Sequence, residues 1–165
     1  MPLKLRMATA DDVVDLVSLR LAVSQHLISQ YGKGYWASGA TEKGIRFAMT
    51  RSTIYVACDR QRLIATLSLS TRKPWAIDKK YFSASQRPLY LTAMEVTPDL
   101  QRQGIGRQCI EEARRIARKW PADAIRLDAY DAAAGAGDFY STCGFREVGR
   151  ATYRNAPLIY FEDLL

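Results

Sequence analysis

The segment PLYLTAMEV (88–96) reads as a strand, the turn TPDL ends it, and an amphipathic helix closed by Pro121 leads straight into a second strand, AIRLDAY (124–130). A strand–helix–strand crossover commits the chain to layered α and β structure and excludes an all-helical or all-β fold. Ile105, Cys109, Ala113, Ile116, Ala117 and Trp120 mark one face of the crossover helix. Arg107, Glu111, Arg114, Arg115 and Arg118 mark the other, with Glu111 placed to pair with Arg115.

Further elements surround the crossover. LKLRMA (3–8) alternates apolar and basic residues and is predicted as a short strand. Thr9 stands at capping-box spacing from Asp12, and Asp11 and Asp12 suit the positive end of a helix. Val13, Val14, Leu16, Val17, Leu21, Leu27 and Ile28 supply that helix with an apolar side. YGKGYWASGA (31–40) is loop chemistry, and TEKGIRFAMT reads as a second short helix. STIYVACD (52–59) and RLIATLSLS (62–70) are predicted as an antiparallel hairpin. Residues 71–87 lack a clean period and are predicted as a surface excursion, which is uncommon unless functional or mobile. GDFYSTC (137–143) reads as a short helix stopped by Gly144, and FREVGRATY and PLIYFEDL as closing strands. No repeat or linker interrupts residues 1–165, so one domain is expected.

Composition narrows the function classes. Hydrophobic residues at 48% and charged residues at 25% fit an ordinary soluble domain. Cys58, Cys109, Cys143 and the one histidine, His26, include no pair at metal-ligand spacing, so no metal is expected. Reduced thiols fit a cytoplasmic setting. MPLKLRMATADD lacks the apolar core of a signal peptide, and no apolar run is long enough for a bilayer, so no membrane partner is expected. The net charge of +7 suits nucleic acid, an anionic surface or a small polyanion. Its basic residues are scattered, with only short clusters such as RRIARK (114–119), so nucleic acid is not the expected partner.

Gly104 and Gly106 at the helix entrance call for a reason, because a glycine costs roughly 0.5–1 kcal/mol relative to alanine inside a helix. Without Cβ atoms there, the N–H groups of residues 102–107 are free to converge on an anion, helped by the helix dipole and by Arg102 and Arg107. A dinucleotide fingerprint would place a third glycine where Cys109 stands, and a Walker loop would need Gly-Lys-Ser/Thr, which is absent. Taken alone, the loop fits either a tight structural turn or an anion cradle.

The surroundings are more specific. The strand ending in MEV, the turn TPDL, QRQGIG and the helix resemble the acyl-CoA-binding motif of the GNAT N-acetyltransferase superfamily, Gln/Arg-x-x-Gly-x-Gly/Ala. Gln101, Gly104 and Gly106 fill its fixed positions. FYSTCGF (139–145) is similar to the family's Tyr-x-x-x-Gly-Phe segment, with Tyr140, Gly144 and Phe145 in place. The resemblance covers residues 88–146. It implies an α/β (α+β) GNAT fold: a central mixed, mostly antiparallel twisted sheet of six to seven strands, flanked by four helices, with splayed fourth and fifth strands at 89–96 and 124–130.

The same resemblance implies acetyl-CoA as cosubstrate and direct transfer to a primary amine of a small molecule or protein. The cosubstrate positions are then Glu95, Val96, Gln101, Arg102, Gln103, Gly104, Ile105, Gly106, Arg107 and Tyr140. The family's tyrosine points at the CoA sulfur, which makes Tyr140 the candidate acid towards the leaving thiolate. A backbone N–H on the fourth strand, at Val96 or a neighbour, is the implied oxyanion donor. Asp128 and Glu95 are the candidate bases, since a carboxylate on an otherwise apolar strand is expensive to bury. Each would alternatively pair with an arginine such as Arg126, and a water would then activate the amine. Tyr130 and Asp131 are expected to line the same mouth. The family's asparagine ahead of the tyrosine helix is missing, and Ala133 in DAAAGAGD stands near that point.

His26 reads as structural or as a substrate-side base, and Tyr35, Trp36, Trp75, Tyr81 and Phe82 as packing or as an acceptor pocket. Two other functions fit the sequence: acetyl transfer to an aminoacyl-tRNA, and a non-catalytic acyl-CoA sensor. Dimers are frequent in the family, so a homodimer is the expectation for a partner.

Overall fold

The computed structural model describes residues 2–37 and 39–165. Met1 and Ser38, the latter within the segment read as a loop, lie outside the described residues. The strands are β1 (Arg6–Met7), β2 (Thr53–Asp59), β3 (Arg62–Ser70), β4 (Pro88–Val96), β5 (Ala124–Tyr130), β6 (Arg146–Tyr153) and β7 (Ala156–Leu164). The α-helices are α1 (Val13–Tyr31), α2 (Glu42–Arg51), α3 (Ile105–Lys119) and α4 (Gly137–Thr142).

Local chemistry accounts for the boundaries. The Thr9 side chain accepts from the Asp11 N–H, and the Asp12 carboxylate accepts from the Thr9 N–H at 2.7 Å, so the expected capping box forms. Arg6 grips the same carboxylate with two bonds of 2.8 and 2.9 Å. Thr41 caps α2 by accepting from the Gly44 N–H. The first strand is shorter than predicted. The Leu3 and Leu5 N–H groups donate to the side chains of Gln108 and Glu112 on α3, so only Arg6 and Met7 remain to pair with β2.

One seven-stranded sheet runs in the order β1-β2-β3-β4-β5-β7-β6. Every neighbouring pair is antiparallel except β4 and β5, which the α3 crossover makes parallel. That parallel pairing covers only Pro88–Tyr90 against Ala124–Arg126. Beyond it the two strands separate, β4 remaining with β3 and β5 with β7, and a gap opens in the middle of the sheet.

The two faces of the sheet are covered differently. Leu67, Leu69, Leu89, Leu91, Ile125 and Leu127 pack against Cys109, Ile110, Ala113 and Ala117 of α3 and Tyr140 of α4. On the opposite face, Ile54 and Val56 of β2 meet Val13, Leu16 and Leu19 of α1 and Ile45 of α2. The rest of that face is covered by the 71–87 segment, where Ile77 and Phe82 pack on Tyr90, Leu158 and Tyr160. The predicted surface excursion is therefore a lid on the sheet with a charged outer surface, and of its three aromatic residues Trp75 alone projects, at 84% exposure. Alternation along β5, β7 and β4 supplies the apolar surface it covers, a pairing partner that no local period in 71–87 announces.

Polar groups fix that lid. Glu162, 1% exposed, accepts from the Ser83 N–H (3.1 Å) and Ser83 hydroxyl (2.6 Å) and from Arg146 (2.6 Å). Arg126, 4% exposed, donates to the Ser83 carbonyl (2.8 Å) and the Tyr90 hydroxyl (3.1 Å). Asp123 accepts from the Ser85 hydroxyl and from the N–H groups of Gln86 and Arg87. Helix α3 also differs in detail from its sequence reading. Glu111 pairs with Arg114, and Arg115 pairs with Glu112, each at three-residue spacing. Arg114 is drawn inward to Asp163 (2.6 Å) and the Cys143 carbonyl, whereas Trp120, past the helix end, is exposed. Two of the RRIARK cations are thus held in ion pairs.

Burial alone pushes the Glu162 carboxyl up, but the Ser83 bonds and Arg146 outweigh it and hold it below the usual range. A folded value below the unfolded one adds stability above the unfolded value, and that stability is lost as pH falls through the folded one. Glu162→Ala is expected to cost about 2–3 kcal/mol, because it strands Ser83, Arg146 and the lid they fix. Urea denaturation at pH 7 and at pH 4 checks this: the gap between wild type and variant should narrow at the lower pH.

Candidate functional site

Strand β4 carries an extra residue at the level of the gap. Thr66 on β3 faces Glu95, and Ser68 faces Thr92, so two steps on β3 match three on β4. The bulge falls at Ala93–Met94, where Ala93 takes φ +51°, a left-handed conformation that costs a non-glycine residue about 1–2 kcal/mol. Its consequence is a change of side. Without it Met94 would share a face with Thr92; with it Glu95 does, alongside Thr66 and Ser68, under α1.

Glu95 there meets Arg20 of α1, whose Nε donates to Oε1 at 3.0 Å. The other oxygen, Oε2, is buried with no partner. Burial pushes the Glu95 carboxyl up, and the Arg20 charge and hydrogen bond counter this in part. Asp128, on β5, lies on the same sheet face as Arg126 and Tyr130, hence on the Glu95 side of the gap. It pairs with no arginine, and burial raises it too. The alternative of pairing with an arginine therefore holds for Glu95, though with Arg20 rather than Arg126, and not for Asp128; Arg126 bonds Tyr90 and Ser83 instead.

Tyr140 approaches from the opposite face. Helix α4 packs it among Phe139, Phe145 and Phe161 at centroid distances of 5.2, 5.7 and 6.0 Å. Its phenol is pushed up by burial and then by the Asp128 charge, so it stays protonated through neutral pH. The gap thus has carboxylates on one side and a phenol on the other.

The loop between β4 and α3 closes one end. Asp99 accepts from Arg62 through both oxygens and from the Thr97 hydroxyl, which brings its carboxyl down to about 2. Gln101 Nε2 donates to the Val96 carbonyl at 3.0 Å. Because the Thr97 N–H bonds the Ile64 carbonyl, Val96 occupies the alternate position on β4, and its N–H points away from β3 into the gap. Arg102 at φ +62° and Gly104 at φ +84° turn the chain into α3, which has no side-chain cap. The first bond of the helix runs from the Gln108 N–H to the Gly104 carbonyl. Among the described residues, the N–H groups of Arg102 to Arg107 are left without a protein acceptor. An uncapped helix start of this kind is a site for an anion. Gly106 has a separate reason: a Cβ there would lie 3.0 Å from the Phe139 ring.

These parts surround one cleft of about 820 Å³. Of the sequence-predicted residues, Glu95, Val96, Gln101, Arg102, Gly104, Gly106, Arg107 and Tyr140 line it. Ile105 faces the core, Gln103 is exposed, and Asp128 stands behind the lining. Asp131, expected at the mouth, is held by Arg150 at 3.1 Å. Tyr130 stacks on Tyr35 at 5.7 Å, while Tyr81 and Phe82 belong to the lid's core. His26 does line the cleft, with Val23, Leu27, Gln30 and Tyr31 of α1, and Ala133 to Ala136 form the opposite wall. Arg20 and the Ala93 bulge had no signal in the sequence. The α1 wall had one, since Val23, Leu27 and Gln30 extend the face carrying His26. Among the described residues no cluster of histidine, cysteine or acidic side chains is arranged for a metal.

Residues 21–145 match the family described as the Acetyltransferase (GNAT) family. No curated protein matches the chain. Among solved structures, a ribosomal-protein-alanine N-acetyltransferase from Brucella melitensis is 16% identical with a TM-score of 0.73, covering 98% of this chain and 99% of its own. PaiA N-acetyltransferase from Thermoplasma acidophilum, in complex with coenzyme A, is 15% identical with a TM-score of 0.71, covering 100% of both chains. A Bacillus subtilis acetyltransferase in complex with CoA is 19% identical with a TM-score of 0.64, covering 99% of both.

The two glycines separate by substitution. A Cβ at Gly104 meets nothing within 4 Å, so Gly104→Ala is expected to lose only about 1–2 kcal/mol to left-handed strain. Gly106→Ala must move Phe139 and with it the wall beside Tyr140. Thermal melting should register the first substitution more strongly. Near-ultraviolet circular dichroism, which reads the aromatic cluster, should register the second.

Proposed function

Since the chain belongs to the GNAT acetyltransferase family, as the match over residues 21–145 establishes, we propose that it is an acetyl-CoA-dependent N-acetyltransferase acting directly on a primary amine of a small molecule or protein. One observation carries this reading: the loop at 102–107, whose backbone N–H groups have no protein acceptor, puts Arg102, Gly104, Gly106 and Arg107 in the lining of the same cleft as Glu95 and Tyr140. Acetyl-CoA supplies an activated thioester. The N–H groups of 102–107, with Arg102 and Arg107, would hold its pyrophosphate, and the outward N–H of Val96 would meet its acyl end.

The chain's own residues then divide the work. An alkyl ammonium has a pKa near 10.4, so the acceptor must lose a proton before it attacks. Glu95 takes that proton through Oε2, and burial makes it a better base than an exposed glutamate. The amine nitrogen bonds the acyl carbon while the Val96 N–H donates to the oxygen on which charge builds. As the carbon–sulfur bond breaks, the second proton lost by the nitrogen passes to the departing thiolate to give the free thiol. The Tyr140 hydroxyl donates a hydrogen bond to that sulfur, and the proton held by Glu95 returns to solvent. A phenol pushed above its usual value is a weaker acid than a thiol near 8.5, so Tyr140 stabilises the thiolate rather than surrendering its proton outright. Glu95 and Asp128 share the acceptor side and favour a cationic amine.

The test is thiol release from acetyl-CoA across polyamines, amino sugars and lysine peptides. Tyr140→Phe should lower kcat about 10–100-fold without changing KM for acetyl-CoA. Activity should fall as pH drops, with a midpoint above the ordinary glutamate value of 4.5, and Glu95→Gln should remove that limb. Wild-type inactivity towards every amine would sink the reading, and unchanged kcat in Tyr140→Phe would remove the role of the phenol.

A further inference from the structure

Arg20 is out of place on its helix. Val23, Ser24 and Leu27 follow it along the stripe of α1 that faces the sheet and the cleft, and an arginine on such a stripe must be paid for by a partner. That partner is Glu95, distant in sequence and brought into reach only by the Ala93 bulge. The bond engages Oε1 alone and leaves Oε2 buried and unpartnered on a residue that lines the cleft. A pair that served stability alone would gain by satisfying both oxygens, as Arg6 does for Asp12. The single-point grip holds one oxygen and leaves the other without a protein partner.

We infer that Arg20 is a positioning residue for acetyl transfer: it clamps one oxygen of Glu95 and aims the other at the acceptor amine. This rests on the proposed role of Glu95 as the proton acceptor. Arg20 also keeps that carboxylate usable. Burial drives Glu95 towards its protonated form, which cannot take a proton, and the Arg20 charge pulls it back. The other titratable and charged groups facing this cleft are His26 and Tyr31 from α1, Arg102 and Arg107 from the loop and α3, and Asp138 and Tyr140 from α4. Asp128 stands across the gap on β5. Arg20 alone among them touches Glu95.

The sign of the effect follows. Removing Arg20 removes an influence that lowers the Glu95 value, so the acid limb of the pH profile must move to higher pH. In Arg20→Gln the acid limb of kcat/KM should rise by about one pH unit, and kcat/KM on the plateau above that limb should fall about 10-fold as the carboxylate loses its aim. KM for acetyl-CoA should not change. Arg20→Lys, which restores the charge, should bring the limb back towards wild type. In a Glu95→Gln background, Arg20→Gln should have no further effect on rate. A merely structural pair would lower the melting temperature and leave the plateau rate above the limb at its wild-type value, and that result overturns the inference. If the wild-type protein acetylates no amine, the proposed activity fails on its own, and carbon-13 NMR titration of the Glu95 carboxyl in the free protein still decides the matter. An upward move of its midpoint in Arg20→Gln supports the clamp, and coincident midpoints reject it.

Discussion

Two strands that begin as partners and then part company set the terms for the rest of the molecule. β4 and β5 share hydrogen bonds only over Pro88–Tyr90 and Ala124–Arg126, because α3 must return the chain parallel and the outer strands then pull the pair apart. A divided sheet is expensive, since backbone N–H and C=O groups along the gap lose ladder partners. The chain answers part of that cost itself, with Gln101 taking the Val96 carbonyl. The remainder, including the Val96 N–H, faces a cleft that an extended ligand can fill by pairing like a strand.

The gap also explains why the groups around it differ in kind. It joins two faces of the sheet that were built separately, one under α3 and α4, the other under α1 and the 71–87 lid. The first side brings the uncapped start of α3 and the Tyr140 phenol, suited to a polyanion and to a departing sulfur. The other brings Glu95 and Asp128, suited to an amine. The proposed acetyl transfer between two bound partners would use that separation, with the reacting atoms meeting in the opening. The Ala93 bulge makes the division possible by turning Glu95, rather than Met94, towards α1. Strain in the backbone is thus placed where it selects which side chain faces α1.

Much of this was legible in the sequence where the signal is local. The Thr9–Asp12 cap, the hairpin at 53–70, the glycine turn at 104 and the tyrosine helix at 137–142 each rest on chemistry within a few residues. The family resemblance added a mixed sheet of six to seven strands and its splay, and the structure has seven strands. Non-local partners stayed out of sight. Nothing near Glu95 announces Arg20, nothing near Ser83 announces Glu162, and Ala93 carries no glycine to betray a left-handed turn. The 71–87 segment looked aperiodic because its buried residues answer to the sheet face made by β4 together with strands distant in sequence, β7 above all. Arg114 shows the same limit, read as surface from its helical spacing and drawn inward by Asp163.

The central claim is that the loop at 102–107 is a cradle for the pyrophosphate of an acyl-CoA. Thermal-shift titration with acetyl-CoA, free CoA and NADH side by side tests it directly, because NADH also carries a pyrophosphate but lacks the pantetheine that would fill the gap. At about 100 times its dissociation constant, a ligand adds roughly 2.7 kcal/mol of stability. Stabilisation by acetyl-CoA and CoA without a comparable response to NADH is the expected result. No response to either CoA species would mean that the glycines serve only a turn, and the account built on the divided sheet would be wrong.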